Sequence, residues 1–363
     1  MKITRACTAV RLRAAATALL CVLSAGVLAS PTLDERMQRF QDGSLRGFAL
    51  SALRGDGSEP DSEPYTDADF RDLAATGANV VRVPIHLRRC DGCTAWTSPE
   101  PDIRYVERVL DQGARLGFRV VVVLQPEPWG HRSDYWAGGD SALLKADMVQ
   151  QWGRIAQRLR SHAALQAYDL VNEPVVQGPP ALWQDLATRL ARAVRQHDPD
   201  TPVMVEPSPW GLPGGMAKLQ PLDLPGVIYS FHLYNPHAFT HQGLPGYAEA
   251  QPYPGHGWDR QRLAQAMDEA RRFAARHQAP IFIGEFSCVR WAPAGSCPRY
   301  LADAVSLFRA ERWGWAYHCW RCYTGWDAEL RPDLPQGLQR DQAAGERRAD
   351  SPALQVLKAA MKR

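Results

Sequence analysis

The sequence predicts an α/β protein built as a single-domain (β/α)8 TIM barrel, and three observations carry that prediction. From residue 44 onward, short β-branched runs alternate with longer amphipathic stretches, eight times over. Several of these runs are almost continuously apolar, as at residues 120–124, which suits strands covered on both faces. Setting aside the first 29 of 363 residues leaves 334, a normal length for one barrel with decorated loops.

The strand candidates are residues 46–50, 79–84, 119–124, 166–170, 202–206, 227–232, 280–285 and 314–318. Helical stretches lie between most of them. Thr66 and Asp69 have the spacing of a capping box ahead of a face made by Phe70, Leu73, Ala74 and Gly77. Met148, Trp152, Ile155 and Leu159 form a second stripe. Leu263, Ala266, Met267, Ala270 and Ala274 form another, and Leu354, Leu357 and Met361 a last one. All of these read as core. The poorest link joins strands five and six. Residues 211–226 are rich in Pro and Gly, with room only for a short helix near Met216–Leu219. Repeated strand–helix–strand units in one direction close most simply into a barrel. An open doubly wound sheet would want a glycine-rich phosphate loop after the first strand, and Ala49-Leu50-Ser51-Ala52 offers none. No linker and no repeat interrupts residues 30–363, so they are expected to form one domain.

Residues 1–29 carry Lys2, Arg5, Arg11 and Arg13, no acid, and an apolar run from Ala14 to Leu28. With small residues around Val27-Leu28-Ala29, this predicts a signal peptide cleaved before Ser30 and a secreted or periplasmic protein. The alternative, a membrane anchor, would need ~20 apolar residues, and no other stretch is apolar enough to span a bilayer. Removing the leader leaves 38 basic and 39 acidic residues, a net of −1. No block of Lys and Arg remains, so no nucleic-acid or anionic-surface partner is expected. A neutral substrate, no cofactor and a monomeric chain are. Six cysteines remain as sequence-local pairs: Cys90/Cys93, Cys288/Cys297 and Cys319/Cys322. In an exported chain an even count reads as disulfides, with local pairing preferred, while the two C-x-x-C pairs leave zinc as the alternative.

Loops after the C-terminal ends of parallel barrel strands converge on one mouth, so polar residues there are the candidates for chemistry. That filter selects Arg82, Gln125, Glu127, Asn172, Glu173, Glu206, His232, Tyr234, Glu285, His318 and Trp320. Two acids stand out. Leu170-Val171-Asn172-Glu173-Pro174 sets an amide beside a carboxyl, and Ile283-Gly284-Glu285-Phe286 ends a buried strand in an acid that Arg82 and Tyr234 can support. Hydrolysis of a glycosidic bond needs one protonated and one ionised carboxyl, and these two environments are expected to supply them.

Asn-Glu-Pro after strand four and Gly-Glu-Phe at the end of strand seven resemble glycoside hydrolase family 5, the cellulase-like family. The similarity runs from Gly47 to about Trp320 and includes residues 77–84 and His232-Leu233-Tyr234. The resemblance implies Glu173 as acid/base, Glu285 as nucleophile and Asn172 as a hydrogen bond to the sugar 2-hydroxyl. It also implies that Arg82 and Tyr234 steer Glu285, that His232 lies near Glu173, and that cleavage proceeds with retention. Two positions depart from the family pattern: Gln125 stands where a His is usual, and His318 where a Trp floors the central subsite. Trp320, two residues on and facing the same way by period two, is the candidate platform, with His318 as the alternative occupant.

Trp96, Trp129, Trp136, Trp210, Trp291 and Trp320 fall in loops after strands and suit a glycan cleft or loop packing. His232, His237 and His241, with His131 and His256, could be read as metal ligands, but a cleft wall is the preferred reading and no metal is expected. The expected partner is a β-linked oligo- or polysaccharide, cleaved by an endo-β-glucanase or β-mannanase type of hydrolase. The alternatives are an exo-acting β-glycosidase or transglycosidase on the same barrel, and a non-catalytic glycan-binding barrel.

Overall fold

The computed structural model describes residues 30–54, 63–89, 93, 95–127, 141–247, 250–293, 295–330 and 347–362. The predicted leader and Cys90, Trp129, His131 and Trp136 lie outside these residues. Eight parallel strands close into a barrel in chain order. They are β1 (Arg46–Ala49), β2 (Val80–Leu87), β3 (Arg119–Pro126), β4 (Leu165–Asp169), β5 (Val203–Val205), β6 (Val227–Leu233), β7 (Ile281–Phe286) and β8 (Gly314–His318). The predicted (β/α)8 architecture is therefore the observed one.

The helices are α1 (Leu33–Gln41), α2 (Asp67–Ala75), α3 (Glu100–Leu116), α4 (Ser141–Leu159), α5 (Pro180–His197), α6 (His237–Thr240), α7 (Arg260–Ala266), α8 (Asp268–His277), α9 (Ser296–Ala310) and α10 (Pro352–Met361). Thr66 and Asp69 close the predicted capping box on α2. Between β5 and β6 the Pro/Gly-rich link holds only a 3-10 helix, Pro213–Lys218. The stripe Leu263–Ala274 is split at Met267 into α7 and α8.

Period two divides each strand into an outer and an inner face. Outward residues such as Val81, Val83, Val120 and Val122 join the helical stripes, Trp152 and Leu190 among them, in the main core. Inward residues make a second, smaller core at the strands' N-terminal end: Val80, Val121, Ala167, Met204, Ile228, Phe282 and Ala316. Helix α1, which precedes the strand–helix alternation and was not among the expected elements, closes this end. Its Phe40 joins that layer and meets Phe282 edge-on, with ring centroids 5.6 Å apart. The buried Arg36 of α1 donates from Nε to Leu165 O (2.9 Å) and from Nη1 to Asp200 O (2.9 Å).

Two residues further along the strands the inner wall turns polar, with Arg82, Asp169, Glu206, Ser230 and His318 replacing the apolar layer. One bulge matters here. The β6–β7 register pairs Phe231 with Ile283 and then His232 with Glu285, passing over Gly284. Without it, strict alternation from the inward Phe282 would turn Glu285 away from the mouth. Cys288–Cys297 and Cys319–Cys322 are joined as the expected local disulfides.

Candidate active site

The polar layer opens into a cleft of about 1010 Å3 at the C-terminal mouth of the barrel. Arg82 is 3% exposed, so its charge must be met by protein. Its Nε donates to Asp169 Oδ2 (2.9 Å) and its Nη1 to Glu285 Oε1 (2.7 Å). Its Nη2 donates to Asn172 Oδ1 (2.8 Å) and to Glu206 Oε1 (2.8 Å). One guanidinium thus fixes groups carried by β4, β7 and the segments that follow β4 and β5. Because Asn172 Oδ1 accepts from Arg82, the Asn172 amide NH2 is left for the cleft.

Glu285 is held from its other side by Tyr234, whose hydroxyl donates to Oε2 at 2.8 Å. His318 Nδ1 lies 3.6 Å from the same oxygen. Glu173 follows β4 with a backbone φ of 47°. Its Oε1 accepts from His232 Nδ1 at 2.8 Å, and its backbone N–H donates to Glu206 Oε2 at 2.9 Å. Carboxyl oxygens of Glu173 and Glu285 lie within 4.8 Å of each other.

The two carboxyls sit in opposed electrostatic settings. Burial pushes Glu173 above its ordinary pKa, and the charges of Glu285 and Glu206 add to that against the contact from His232. Burial also acts to raise Glu285, but the charges of His318, His232 and Arg82 and the Tyr234 hydroxyl hold it well below the usual carboxylate range. Burial acts to lower His232, and the Glu206 and Glu285 charges overcome it, so its pKa is held well above the ordinary histidine value. The two settings push the pKa values of the two carboxyls apart, Glu173 upward and Glu285 downward.

Of the residues selected from sequence, Arg82, Gln125, Glu127, Asn172, Glu173, Tyr234, Glu285 and His318 line the cleft. His232 and Glu206 are fully buried beneath it. Trp320 is a correction. The strand ends at His318, and the disulfide-closed turn that follows carries the Trp320 N–H to Ala49 O (2.9 Å). The indole then packs on Phe48, with ring centroids 5.0 Å apart, and only 2% of Trp320 is exposed, so it is no platform. Trp326 lines the cleft instead, its ring 5.3 Å from that of His318. Sequence reasoning missed it because the 319–330 segment has no strand or helix period from which a direction could be read. Trp96 is buried, with its Nε1 donating to Leu144 O (3.0 Å), and the half-buried Trp291 donates to Gln242 O (2.7 Å). Among the sequence-selected indoles within the described residues, Trp210 is the one that lines the cleft.

His237 and His241 form part of the cleft wall with Tyr247, their ring centroids 5.0 Å apart. Burial lowers both, His241 to about 4, so they face the cleft as neutral imidazoles. Among the described residues, the His/Cys/Asp/Glu groups close enough to share an ion are Glu173/His232/Glu285 and His318/Cys319/Cys322, and neither includes this pair.

The family model for cellulase (glycosyl hydrolase family 5) matches residues 34–323. Endoglucanase H of Acetivibrio thermocellus is 24% identical over 291 residues, covering 79% of this chain and 30% of that protein. A beta-xylosidase of Phanerodontia chrysosporium is 22% identical over 273 residues, covering 69% of this chain and 55% of that one. The chain therefore spans about a third to a half of the length of these two relatives. Thermotoga maritima Cel5A, solved with cellobiose in a mutant form, shares the fold with a TM-score of 0.70 at 22% identity, over 87% of this chain and 97% of that one. With the family model spanning most of the barrel, this chain belongs to the cellulase family, glycosyl hydrolase family 5.

Proposed function

We propose that the chain is a retaining glycoside hydrolase that cleaves β-linked polysaccharide, of the endo-β-glucanase or β-mannanase type, by double displacement. The observation that carries this reading is the pair of opposed carboxyls within 4.8 Å of each other. Retaining enzymes hold these groups ~5–5.5 Å apart, whereas inverting ones leave a wider gap for water. Glu285, ionised and gripped by Arg82 and Tyr234, attacks the anomeric carbon. As the C–O bond to the leaving sugar breaks, Glu173 gives that oxygen its proton. Water then enters on the same side, Glu173 takes its proton, and the Glu285 ester is released with the original configuration. The Asn172 amide is placed to bind the 2-hydroxyl, while Gln125 and His318 contact the sugar held at Glu285.

The relatives support the substrate class. Endoglucanases are among them, and Thermotoga maritima Cel5A has been solved with cellobiose and with mannotriose. The leader at residues 1–29 and the two disulfides support export to the periplasm or beyond. No helix among the described residues is long and apolar enough to cross a membrane.

The test is the chain from Ser30 onward assayed on β-1,4-glucan, β-1,3-glucan, mannan and xylan, with the first product's anomer read by NMR. Retention is expected, with Glu285→Gln inactive and Glu173→Gln slowed by about 10²–10⁴-fold. An inverted first product, or full activity in Glu285→Gln, sinks the mechanism.

A further inference from the structure

Glu206 directly follows β5 and does not line the cleft, yet both of its carboxylate oxygens are committed. Oε1 accepts from Arg82 Nη2 (2.8 Å) and lies 3.2 Å from His232 Nε2. Oε2 accepts the backbone N–H of Glu173 (2.9 Å). Its own backbone is tied down as well, because Trp183 Nε1 donates to Glu206 O at 2.8 Å. The surroundings are shaped around it. A Cβ on Gly211, which has a φ of +61°, would sit 2.6 Å from Glu206 Oε2 and 3.4 Å from His232 Cγ. A Cβ on Gly284 would sit 2.9 Å from His232 Nε2. The left-handed backbone of Glu173 is strained for a residue with a side chain and persists only where its neighbours hold it.

We propose that Glu206 is a positioning residue for Glu173, fixing its backbone directly and the direction of its acidic proton through His232. This rests on the reading of Glu173 as acid/base. An imidazole with a carboxylate at Nε2 keeps both ring protons, so Nδ1 donates to Glu173 Oε1 and the acid's proton stays on Oε2, free to reach the leaving oxygen. Take away the anion and His232 can shed a proton. Nδ1 then becomes an acceptor and draws the acid's proton inward, away from the substrate. Glu285 also faces this ring, 3.7 Å from Nδ1, but the Arg82 and Tyr234 contacts already hold it. The role of Glu206 is therefore leaving-group protonation and not nucleophilic attack.

Two substrates separate these steps. A dinitrophenyl β-cellobioside loses its leaving group without protonation, and cellotetraose does not. Glu206→Gln is expected to lower kcat/KM for cellotetraose by about 10- to 100-fold, part of what general acid catalysis supplies, and for the dinitrophenyl glycoside by less than about 3-fold. Equal losses on both substrates, or no loss on either, overturn the proposal. If Glu206→Gln does not fold, His232→Gln must give the same split, and equal losses there overturn it too. Glu173→Gln runs alongside. If that variant splits the substrates and Glu206→Gln does not, the proposal about Glu206 fails alone. If Glu173→Gln shows no split, the acid/base reading fails and takes this one with it.

Discussion

Trp320 and Trp326 are six residues apart, and the fold gives them unrelated tasks. Trp326 is half-buried on the cleft wall, its Nε1 donating to Thr240 O at 3.4 Å, with one ring neighbour in His318 and another in Tyr234. Trp326→Ala is expected to raise KM for a β-glucan oligosaccharide about 10-fold or more, since an aromatic–sugar contact is lost, with little change in melting temperature. Trp320→Ala should do the reverse. Removing a fully buried indole costs about 3–5 kcal/mol of stability, read by chemical denaturation, while KM at low temperature stays near that of the parent. If both variants lose affinity alike, the assignment of the two indoles is wrong. Arg82, Glu173, His232, Tyr234 and Glu285 were legible in sequence because they lie in or soon after strands whose following loops converge on one mouth of the barrel. Trp326 was not, because its direction depends on a turn closed by Cys319–Cys322 and on Tyr323, whose ring centroid lies 5.3 Å from its own. Asp169 was missed for another reason. It closes β4 between the apolar Tyr168 and Leu170, and only the position of Arg82 across the barrel makes sense of it.

At the level of elements, the eight strands were legible from apolar runs, and the gap between β5 and β6 from its Pro and Gly content. The plug was not. Helix α1 precedes the first strand, outside the strand–helix alternation on which the barrel was read, although Thr32 and Glu35 carry a capping-box signal. The bulge at Gly284 was also hidden, since period two by itself turns Glu285 outward. Helix α1 supplies Phe40 to the closed end of the barrel, opposite the cleft, where it packs on the inward strand residues. Phe40→Ala is therefore expected to destabilise the protein by about 3–5 kcal/mol in denaturant, with kcat on β-glucan within about twofold of the parent at low temperature. A loss of activity without a loss of stability would mean that α1 bears on the site and not on the core.

Across the whole molecule, folding gathers Arg82, Asp169, Glu173, Glu206, His232 and Glu285 into one buried network, so stability must follow their protonation. Glu285 and Glu206 are held below their ordinary values, in both cases by neighbouring charges that overcome burial. What they contribute is present above the unfolded glutamate value of about 4.3 and is lost as pH falls towards their folded values. Glu173, Asp169 and His232 are raised, the two acids by burial and the imidazole by carboxylates that overcome burial. Their contributions are complete below the unfolded values, about 4 for the acids and 6.5 for histidine, and are lost as pH rises through the folded ones. The two sets cross in mildly acidic solution. The melting temperature should therefore peak between about pH 4.5 and 6.5 and fall on both sides. The alkaline decline should shrink in His232→Gln, where one of the raised groups is gone. Calorimetry from pH 3 to 9 on both proteins checks this. A flat profile above pH 6.5 in the parent, or an unchanged decline in the variant, would mean that His232 is not held as an imidazolium, and the proton route drawn through Glu206 would lose its footing.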